Sequence, residues 1–253
     1  MPEPASLLQD LEPIVREAGG MAKEAQQGAT REIKPDGSIV TPADREVETF
    51  LRGELARILP SAGINGEEHG CTPEGEAGLW CVDPIDGTSN YAFGLPTWGV
   101  SVGLVKGEET LLGAVYLPAL GEMYLGAQGA GATLNGQKLA LIPPGEIRPE
   151  ELVSCADRVL RMYPDSSIPG KMRHTGAFVI DAVYTAAQRY RGLIGLREKL
   201  HDIAACLCIA REVGAEIRYA DGSPLLLEPL KEERAKLVKS WIIFPAETGF
   251  HLP

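Results

Sequence analysis

The most informative segment of this chain reads Trp80-Cys81-Val82-Asp83-Pro84-Ile85-Asp86-Gly87-Thr88-Ser89-Asn90. An apolar run ends at Asp83, the proline after it presets a turn, and the pair Asp86-Gly87 is typical of a chain reversal. A helix can then begin at Thr88. The segment therefore predicts that the carboxylates of Asp83 and Asp86 meet at the end of a strand, with the backbone carbonyl of Ile85 pointing the same way.

This geometry favours a site for a metal ion beside a site for phosphate. Neighbouring carboxylates repel one another unless a cation lies between them, and hard cations such as Mg²⁺ prefer oxygen ligands. The free N–H groups of Gly87 and Thr88 at a helix start form a natural phosphate site. An ordinary turn is an equally good interpretation of the segment in isolation, because Asp-Pro and Asp-Gly pairs are common in turns.

Three further acidic segments favour the metal and phosphate site over the ordinary turn. Gly66-Glu67-Glu68 is a carboxylate pair in a glycine-flanked loop. Asp44 is the third residue of a helix that Thr41 caps, so it also suits a capping box. Asp202 opens a helix that is apolar nearly all round, where an acid is favourable at the N-terminus. Each segment alone has an ordinary structural explanation.

Together the four segments resemble the inositol monophosphatase family of metal-dependent phosphatases, and the resemblance extends from Lys34 to about Gly214. The matching motifs are Gly66-Glu67-Glu68, Asp83-Pro84-Ile85-Asp86-Gly87-Thr88-Ser89-Asn90-Tyr91 and Asp202-Ile203-Ala204-Ala205. The resemblance implies a layered α/β fold, an α-β-α-β-α sandwich of the inositol monophosphatase and fructose-bisphosphatase type. We expect residues 1–145 and 146–253 to form two halves of one catalytic unit, with the Pro-rich stretch 142–149 between them.

The resemblance also implies a set of metal ligands. Glu67, Asp83 and the Ile85 carbonyl look like ligands of one Mg²⁺, and Asp83, Asp86 and Asp202 look like ligands of a second. Glu67 would hold a third ion through water. Two or three Mg²⁺ per site are therefore expected, since paired cations can stabilise both the entering and the leaving oxygen of a phosphate ester.

Catalysis and substrate binding follow from the same resemblance. Thr88 and Asp44, together with Glu67, would orient and deprotonate the attacking water, and the N–H groups of Gly87 and Thr88 would hold phosphate oxygens. The remaining substrate contacts would come from Asp86, Gly176, Ala177 and Asp202. The reaction would be in-line attack of metal-activated water on a small phosphate monoester, without a phosphoenzyme and with lithium sensitivity.

The sequence departs from the family pattern at two positions. His201 stands where a Trp usually precedes the acid, and Gly195 stands where a Glu usually contacts inositol. Without this Glu, the case for inositol monophosphate itself is weaker. The candidate substrates are an inositol monophosphate-like compound, another polyol or sugar phosphate, histidinol phosphate, fructose 1,6-bisphosphate and 3′-phosphoadenosine 5′-phosphate. Arg191 and Arg197 precede Asp202 and suit either an extra anionic group or a solvated surface.

Composition narrows the class of protein. The 253 residues include 24 Lys+Arg and 35 Asp+Glu, so the formal net charge of −11 argues against nucleic acid and anionic membranes as partners. Five cysteines without a CxxC pair favour reduced thiols in a cytoplasmic protein. We expect no membrane partner, a homodimer as in related proteins, and a small-molecule substrate. A non-catalytic metal-binding regulator is the alternative from another class.

Hydrophobic periodicity predicts the main elements. An apolar helical face runs from Leu7 to Ala22, and a second helix begins at Pro42. A largely antiparallel sheet is expected next, followed by mixed α/β structure. The predicted strands are 79–82, 98–105, 111–117, 122–126, 153–156 and 215–219, with a hairpin at Asn135-Gly136, and the later predicted helices are 177–189 and 201–213.

Overall fold

The computed structural model describes residues 3–163, 168–232 and 235–252. Its helices are α1 (Pro4–Ala25), α2 (Pro42–Ile58), α3 (Thr88–Ala92), α4 (Asp157–Met162), α5 (Phe178–Ala186) and α6 (Leu200–Glu212). Its strands are β1 (Glu32–Ile33), β2 (Ile39–Val40), β3 (Gly63–Gly66), β4 (Leu79–Asp86), β5 (Gly99–Lys106), β6 (Glu109–Leu117), β7 (Glu122–Ala127), β8 (Gly131–Leu134), β9 (Gln137–Lys138), β10 (Leu152–Cys155), β11 (Lys171–Arg173), β12 (Gly192–Gly195), β13 (Glu216–Tyr219) and β14 (Trp241–Phe244).

Two large sheets organise the chain. The first has seven strands in the order β3-β4-β5-β6-β7-β8-β9, antiparallel except for the parallel pair β3-β4. The second has five strands in the order β11-β10-β12-β14-β13, with β10 parallel to both of its neighbours. Strands β1 and β2 form a small separate hairpin.

Five layers result from how the helices cover these sheets. Helices α1 and α2 pack on one face of the seven-stranded sheet, and α5 and α6 fill the space between the two sheets. Helix α4 and the C-terminal segment cover the outer face of the five-stranded sheet through Val159 and Leu252. The predicted α-β-α-β-α architecture is therefore confirmed.

Helix α6 lies directly on the backbone of the first sheet. Gly103, Gly113 and Gly126 pair with one another across β5, β6 and β7 and form a row of residues without side chains. A Cβ atom on Gly113 would lie 2.3 Å from the carbonyl oxygen of Ala205, and one on Gly103 would lie 2.6 Å from the Ala205 nitrogen. A Cβ on Gly126 would lie 3.0 Å from the Cα of Ile209. The glycine row thus fixes how closely α6 approaches the sheet.

Several sequence-based boundaries were wrong. Strand β4 continues through Pro84 to Asp86 instead of turning after Val82, because the ladder to β5 shifts register between Asp83 and Asp86. A proline is tolerated at such an irregularity since its missing N–H costs no ladder bond. Helix α5 ends at Ala186, short of the predicted 189. Strands β3, β11, β12 and β14, the β1–β2 hairpin and helix α4 were not predicted.

Within the described chain, no helix is long and apolar enough to cross a membrane.

Candidate active site

The first pair of predicted ligands lies where β4 leaves the regular ladder. Asp83 is buried and its Oδ1 accepts the N–H of Ile85 at 3.0 Å, which orders the short turn between the two acids. Asp86 closes the strand, and its Oδ2 accepts the N–H of Val179 at 2.6 Å. Because Val179 lies in the first turn of α5, Asp86 ties the first sheet to the helix layer between the sheets.

Thr88 and Asp44 come together from distant parts of the sequence. The hydroxyl of Thr88 lies 3.1 Å from Asp44 Oδ1 and 2.9 Å from the Ile85 carbonyl, so its single proton has two acceptors. Asp44 is fully buried, and its other oxygen accepts the backbone N–H and the hydroxyl of Thr41 at 2.9 and 2.5 Å. Asp44 is therefore both part of a capping box and a partner of Thr88.

The loop before α5 rests against the turn that follows β4. Gly87 has φ +86°, and a Cβ there would lie 2.9 Å from the Ala177 Cβ. Gly176 is exposed beside it, with φ +83°. Asn90 donates from Nδ2 to the carbonyls of Thr97 and Thr175, at 2.7 and 2.9 Å. These contacts place the predicted phosphate and substrate residues side by side.

Asp181 is a structural residue of this loop that the sequence did not reveal. It is 3% exposed, and its Oδ2 accepts the hydroxyl of Ser154 at 2.8 Å and lies 3.5 Å from the N–H of Thr175. His174 Nδ1 lies 3.6 Å from the same oxygen. Only its position within the apolar face of α5, where a charged residue is unusual, signalled a role.

Glu67 lies after β3 in a loop that a second buried acid holds in place. Glu48 on α2 accepts the N–H groups of Glu68 and His69, at 2.6 and 3.1 Å. The ammonium of Lys34 lies 3.3 Å from Glu67 and 2.5 Å from Glu68. Burial lowers the pKa of Lys34, but the two carboxylates outweigh burial, so the pKa is raised overall. A cation thus already contacts one of the predicted metal ligands.

Asp202 occupies the first turn of α6, as predicted. Its Oδ2 accepts the N–H of Lys199 at 2.7 Å. His201 is buried beside it, with Nδ1 3.1 Å from Asn65 Oδ1 and Nε2 3.3 Å from Asp202 Oδ1. His201 thus has the surroundings of a side chain at the edge of the core.

The predicted acids lie close enough to affect one another's ionisation. Burial raises the pKa of Asp83 well above its usual range, and the charges of Glu67, Asp86, Asp202 and Asp44 raise it further. Burial likewise raises the pKa of Asp86 and of Asp202, with Glu67 adding to both. The five residues therefore form one cluster of mutually repelling carboxylates.

This cluster fits Mg²⁺ in charge and in donor type. All of the predicted ligands are oxygens, and the repulsion that raises the carboxylate pKa values is what a bound divalent cation relieves. Among the described residues, no group of three or more Asp, Glu, His or Cys side chains is arranged closely enough to hold a metal ion. The ligand assignment is therefore chemically suited to Mg²⁺ and stays a prediction.

Gly195 leaves no room for a larger residue. A Cβ there would lie 2.5 Å from Trp241 Nε1 and 2.9 Å from Glu198 Oε2. Glu198 accepts the indole N–H of Trp241 at 2.6 Å and the N–H of Leu196 at 3.0 Å. A carboxylate from a neighbouring position thus occupies the space beside residue 195.

Sequence comparison assigns the family. A model of the inositol monophosphatase family matches residues 7–242. The chain belongs to this family. Among curated relatives, a "Fructose-1,6-bisphosphatase/inositol-1-monophosphatase" of Aquifex aeolicus is 33% identical over 210 residues, which cover 78% of this chain and 80% of the relative. The expected class of enzyme, a phosphoric monoester hydrolase of this family, is thereby confirmed.

Two further comparisons bear on fold and on function. The solved structure of an IMPase of Thermotoga maritima superposes with a TM-score of 0.80 at 26% identity and covers 94% of this chain and 92% of that one. A "Nus factor SuhB" of Vibrio cholerae is 29% identical over 222 residues, covering 82% of this chain and 83% of that protein. The family therefore includes relatives named for something other than hydrolysis.

Proposed function

We propose that this chain hydrolyses small phosphate monoesters with the help of two or three Mg²⁺ ions. Glu67, Asp83, the Ile85 carbonyl, Asp86 and Asp202 would hold the ions. The observation that carries the proposal is the mutual repulsion within the carboxylate cluster, which burial intensifies. Bound Mg²⁺ would neutralise the phosphate and lower the pKa of the attacking water.

The residues of the chain would place the attacking water. With its proton directed to Asp44, the Thr88 oxygen presents a lone pair that can accept a hydrogen bond from water. Burial raises the pKa of Asp44, so this carboxylate gains from accepting a proton or a strong hydrogen bond. Glu67 lies in a partly exposed loop and would receive the proton that leaves the water.

Phosphate and substrate would be bound at the same turn. The N–H groups of Gly87 and Thr88 would hold phosphate oxygens, because a left-handed residue before a helical turn leaves these groups free to donate. Contacts to the rest of the substrate would come from Asp86, Gly176, Ala177 and Asp202. Gly176 and Ala177 suit this role since the loop that carries them lies against Gly87.

The substrate we favour is a polyol or sugar phosphate resembling inositol monophosphate. Names of similar proteins include inositol monophosphatase and fructose-1,6-bisphosphatase, which supports this class. Histidinol phosphate, fructose 1,6-bisphosphate and 3′-phosphoadenosine 5′-phosphate are the alternatives within the same chemistry. Steric exclusion of a Glu at position 195 weighs against inositol monophosphate itself.

The decisive experiment measures phosphate release from a panel of these compounds with Mg²⁺ and with EDTA. We expect turnover that requires Mg²⁺ and that LiCl, but not KCl, inhibits. Asp221→Asn is a matched control for variants of the cluster, because Asp221 is an exposed acid paired with Lys239. Equal rates in Mg²⁺ and EDTA contradict the proposal.

A second candidate function is that of a non-catalytic metal-binding regulator, which similarity to a protein named Nus factor favours. We favour catalysis because all of the proposed ligands and the Thr88–Asp44 pair are present in this chain. If the pure protein binds Mg²⁺ but hydrolyses none of the phosphate esters tested, the regulator becomes the favoured function.

We also propose a cytoplasmic homodimer. The five free cysteines, four of them buried, suit a reducing compartment. Light scattering after size exclusion measures the mass directly, and a value near the 27.1 kDa monomer contradicts the dimer.

A further inference from the structure

A buried imidazole nitrogen beside the carboxylate cluster has no hydrogen-bond partner among the described residues. The residue is His201, which is 6% exposed, and the nitrogen is its Nε2. Asp202 Oδ1 lies only 3.3 Å away, yet the two atoms do not form a hydrogen bond. A buried polar atom without a partner is costly and rare in folded proteins. This nitrogen therefore lacks a partner that the described chain does not supply.

The other ring nitrogen of His201 shows where the free lone pair lies. Nδ1 is 3.1 Å from Asn65 Oδ1, in a contact between two buried side chains. An amide oxygen can only accept, so Nδ1 carries the proton and donates it. In the neutral ring, the lone pair is then on Nε2. Histidines that bind metals almost always donate from their second nitrogen in this way, which fixes the orientation of the ring.

The Nε2 lone pair meets a carboxylate oxygen at a distance that suits a shared metal ion. Asp202 Oδ2 accepts the N–H of Lys199 at 2.7 Å, and Oδ1 is the oxygen that faces His201. A lone pair and a carboxylate oxygen repel one another unless a cation lies between them. Two ligand atoms that each lie about 2.0–2.1 Å from a tetrahedral metal ion are roughly 3.3–3.4 Å apart. The observed 3.3 Å therefore fits coordination of one ion by both atoms.

This pair of donors belongs to the same electrostatic environment as the acids of the cluster. Burial raises the pKa of Asp86, and the charges of Asp202 and Glu67 raise it further. Asn65 lies in β3, two residues before Glu67. The contact between Asn65 and His201 thus joins the strand that leads to Glu67 to the helix that carries Asp202.

We propose that His201 Nε2 and Asp202 Oδ1 together bind a divalent transition metal ion such as Fe²⁺, Co²⁺, Ni²⁺ or Zn²⁺. Mg²⁺ takes oxygen ligands, whereas imidazole suits these softer ions. A nitrogen donor at this position therefore favours them over Mg²⁺. The inference rests on the proposed role of Asp202 as a metal ligand and adds His201 to the ligand set.

Proton NMR of the protein with bound Co²⁺ tests the coordination directly. This paramagnetic ion shifts the signals of a coordinated imidazole far outside the ordinary range, and the Nδ1 proton is recognised because its signal disappears in D₂O. We expect wild type to show such a signal and His201→Gln to lose it. His251→Gln removes an exposed histidine and is the matched control, which should keep the signal.

Calorimetry gives a second readout, the ratio of the Kd for Mg²⁺ to the Kd for Co²⁺. We expect His201→Gln to lower this ratio by about tenfold or more, since Co²⁺ loses a nitrogen donor and Mg²⁺ does not. Asn65→Leu removes the acceptor that orients the ring and should lower the ratio in the same direction. Melting curves in EDTA identify the variants that are folded.

Three results overturn the assignment. Wild type shows no shifted exchangeable signal, the signal persists in folded His201→Gln, or the ratio of the two Kd values is the same in this variant as in wild type. The first result is expected if Nε2 carries a proton and only donates to Asp202. Because it needs wild type alone, the test holds even if His201→Gln does not fold.

Failure of the phosphatase function has a different signature, because neither readout involves phosphate release. A protein that hydrolyses no phosphate ester but shows the signal, and loses it in His201→Gln, keeps the metal assignment. A phosphatase that requires Mg²⁺ and whose Co²⁺ binding does not depend on His201 overturns the metal assignment and leaves the proposed function intact.

Discussion

The glycine row beneath α6 makes a quantitative prediction for Gly113→Ala. The added methyl would lie 2.3 Å from the Ala205 carbonyl oxygen and 2.7 Å from its Cα, both backbone atoms of a helix. Overpacking a core typically costs about 1–3 kcal/mol, and an obstacle made of backbone places this variant near 3 kcal/mol. For a chain of this size, each kcal/mol lowers the melting temperature by roughly 2–4 °C, so we expect a loss of roughly 6–12 °C.

Activity should fall further than stability explains. Asp202 lies less than one turn before Ala205 on the same helix, so a shift that accommodates the methyl also moves Asp202. A misplacement of about 1 Å at a reacting centre can cost roughly 100-fold in rate. We therefore expect kcat to fall by that order at temperatures where the variant is fully folded.

Thermal unfolding followed by far-UV circular dichroism measures the first effect, and phosphate release measures the second. Gly53→Ala is the matched control, because Gly53 lies inside α2 and a Cβ added there would have no atom within 4 Å. There the same substitution should stabilise by about 0.5–1 kcal/mol. A Gly113→Ala protein that melts within about 2 °C of wild type would refute the close contact of α6 with the sheet.

Three further changes have defined outcomes. Asp83→Asn should abolish phosphate release but should not lower the melting temperature in EDTA. The amide oxygen of Asn can still accept the Ile85 N–H, and the substitution removes one of the repelling charges. Loss of the cooperative unfolding transition in circular dichroism would contradict this prediction. Thr88→Val should lower kcat by roughly 100-fold or more, whereas Thr88→Ser keeps most of it in the same assay. Burial raises the pKa of Glu198 above 4.5, so its protonated form stabilises the fold at low pH and that contribution is lost as pH rises through the folded pKa. The free energy of unfolding of Glu198→Gln should therefore rise relative to that of wild type as pH rises. Urea unfolding at a series of pH values measures this difference between the two proteins, and a difference that does not change with pH would contradict the prediction.

The family resemblance singled out the acids of the candidate site, and four of the five also have a local structural task. Asp44 belongs to a capping box, Asp202 to a helix start, and Asp83 and Asp86 to a turn after an apolar strand. Such positions follow from nearest-neighbour chemistry, which a sequence displays directly. Nearest-neighbour chemistry could not display the contact between Thr88 and Asp44, because it joins residues far apart in the chain; the family resemblance paired them.

Elements that depend on distant partners escaped prediction. Strand β14 consists of four buried apolar residues, Trp241–Phe244, and it is a strand because β12 and β13 flank it. Strand β12 is equally short and contains two glycines, which weaken any local preference for a strand.

The bond between Trp241 and Glu198 gives the molecule a built-in optical signal. The indole N–H of Trp241 donates to the carboxylate of Glu198, whose pKa the nearby charge of Asp202 helps to raise. Indole fluorescence responds to charge near the ring, and Trp80 and Trp98 lie in the core that faces α1 and α2. With Trp80 and Trp98 replaced by Phe, emission from the remaining indole becomes a real-time, label-free readout of charge changes near Glu198.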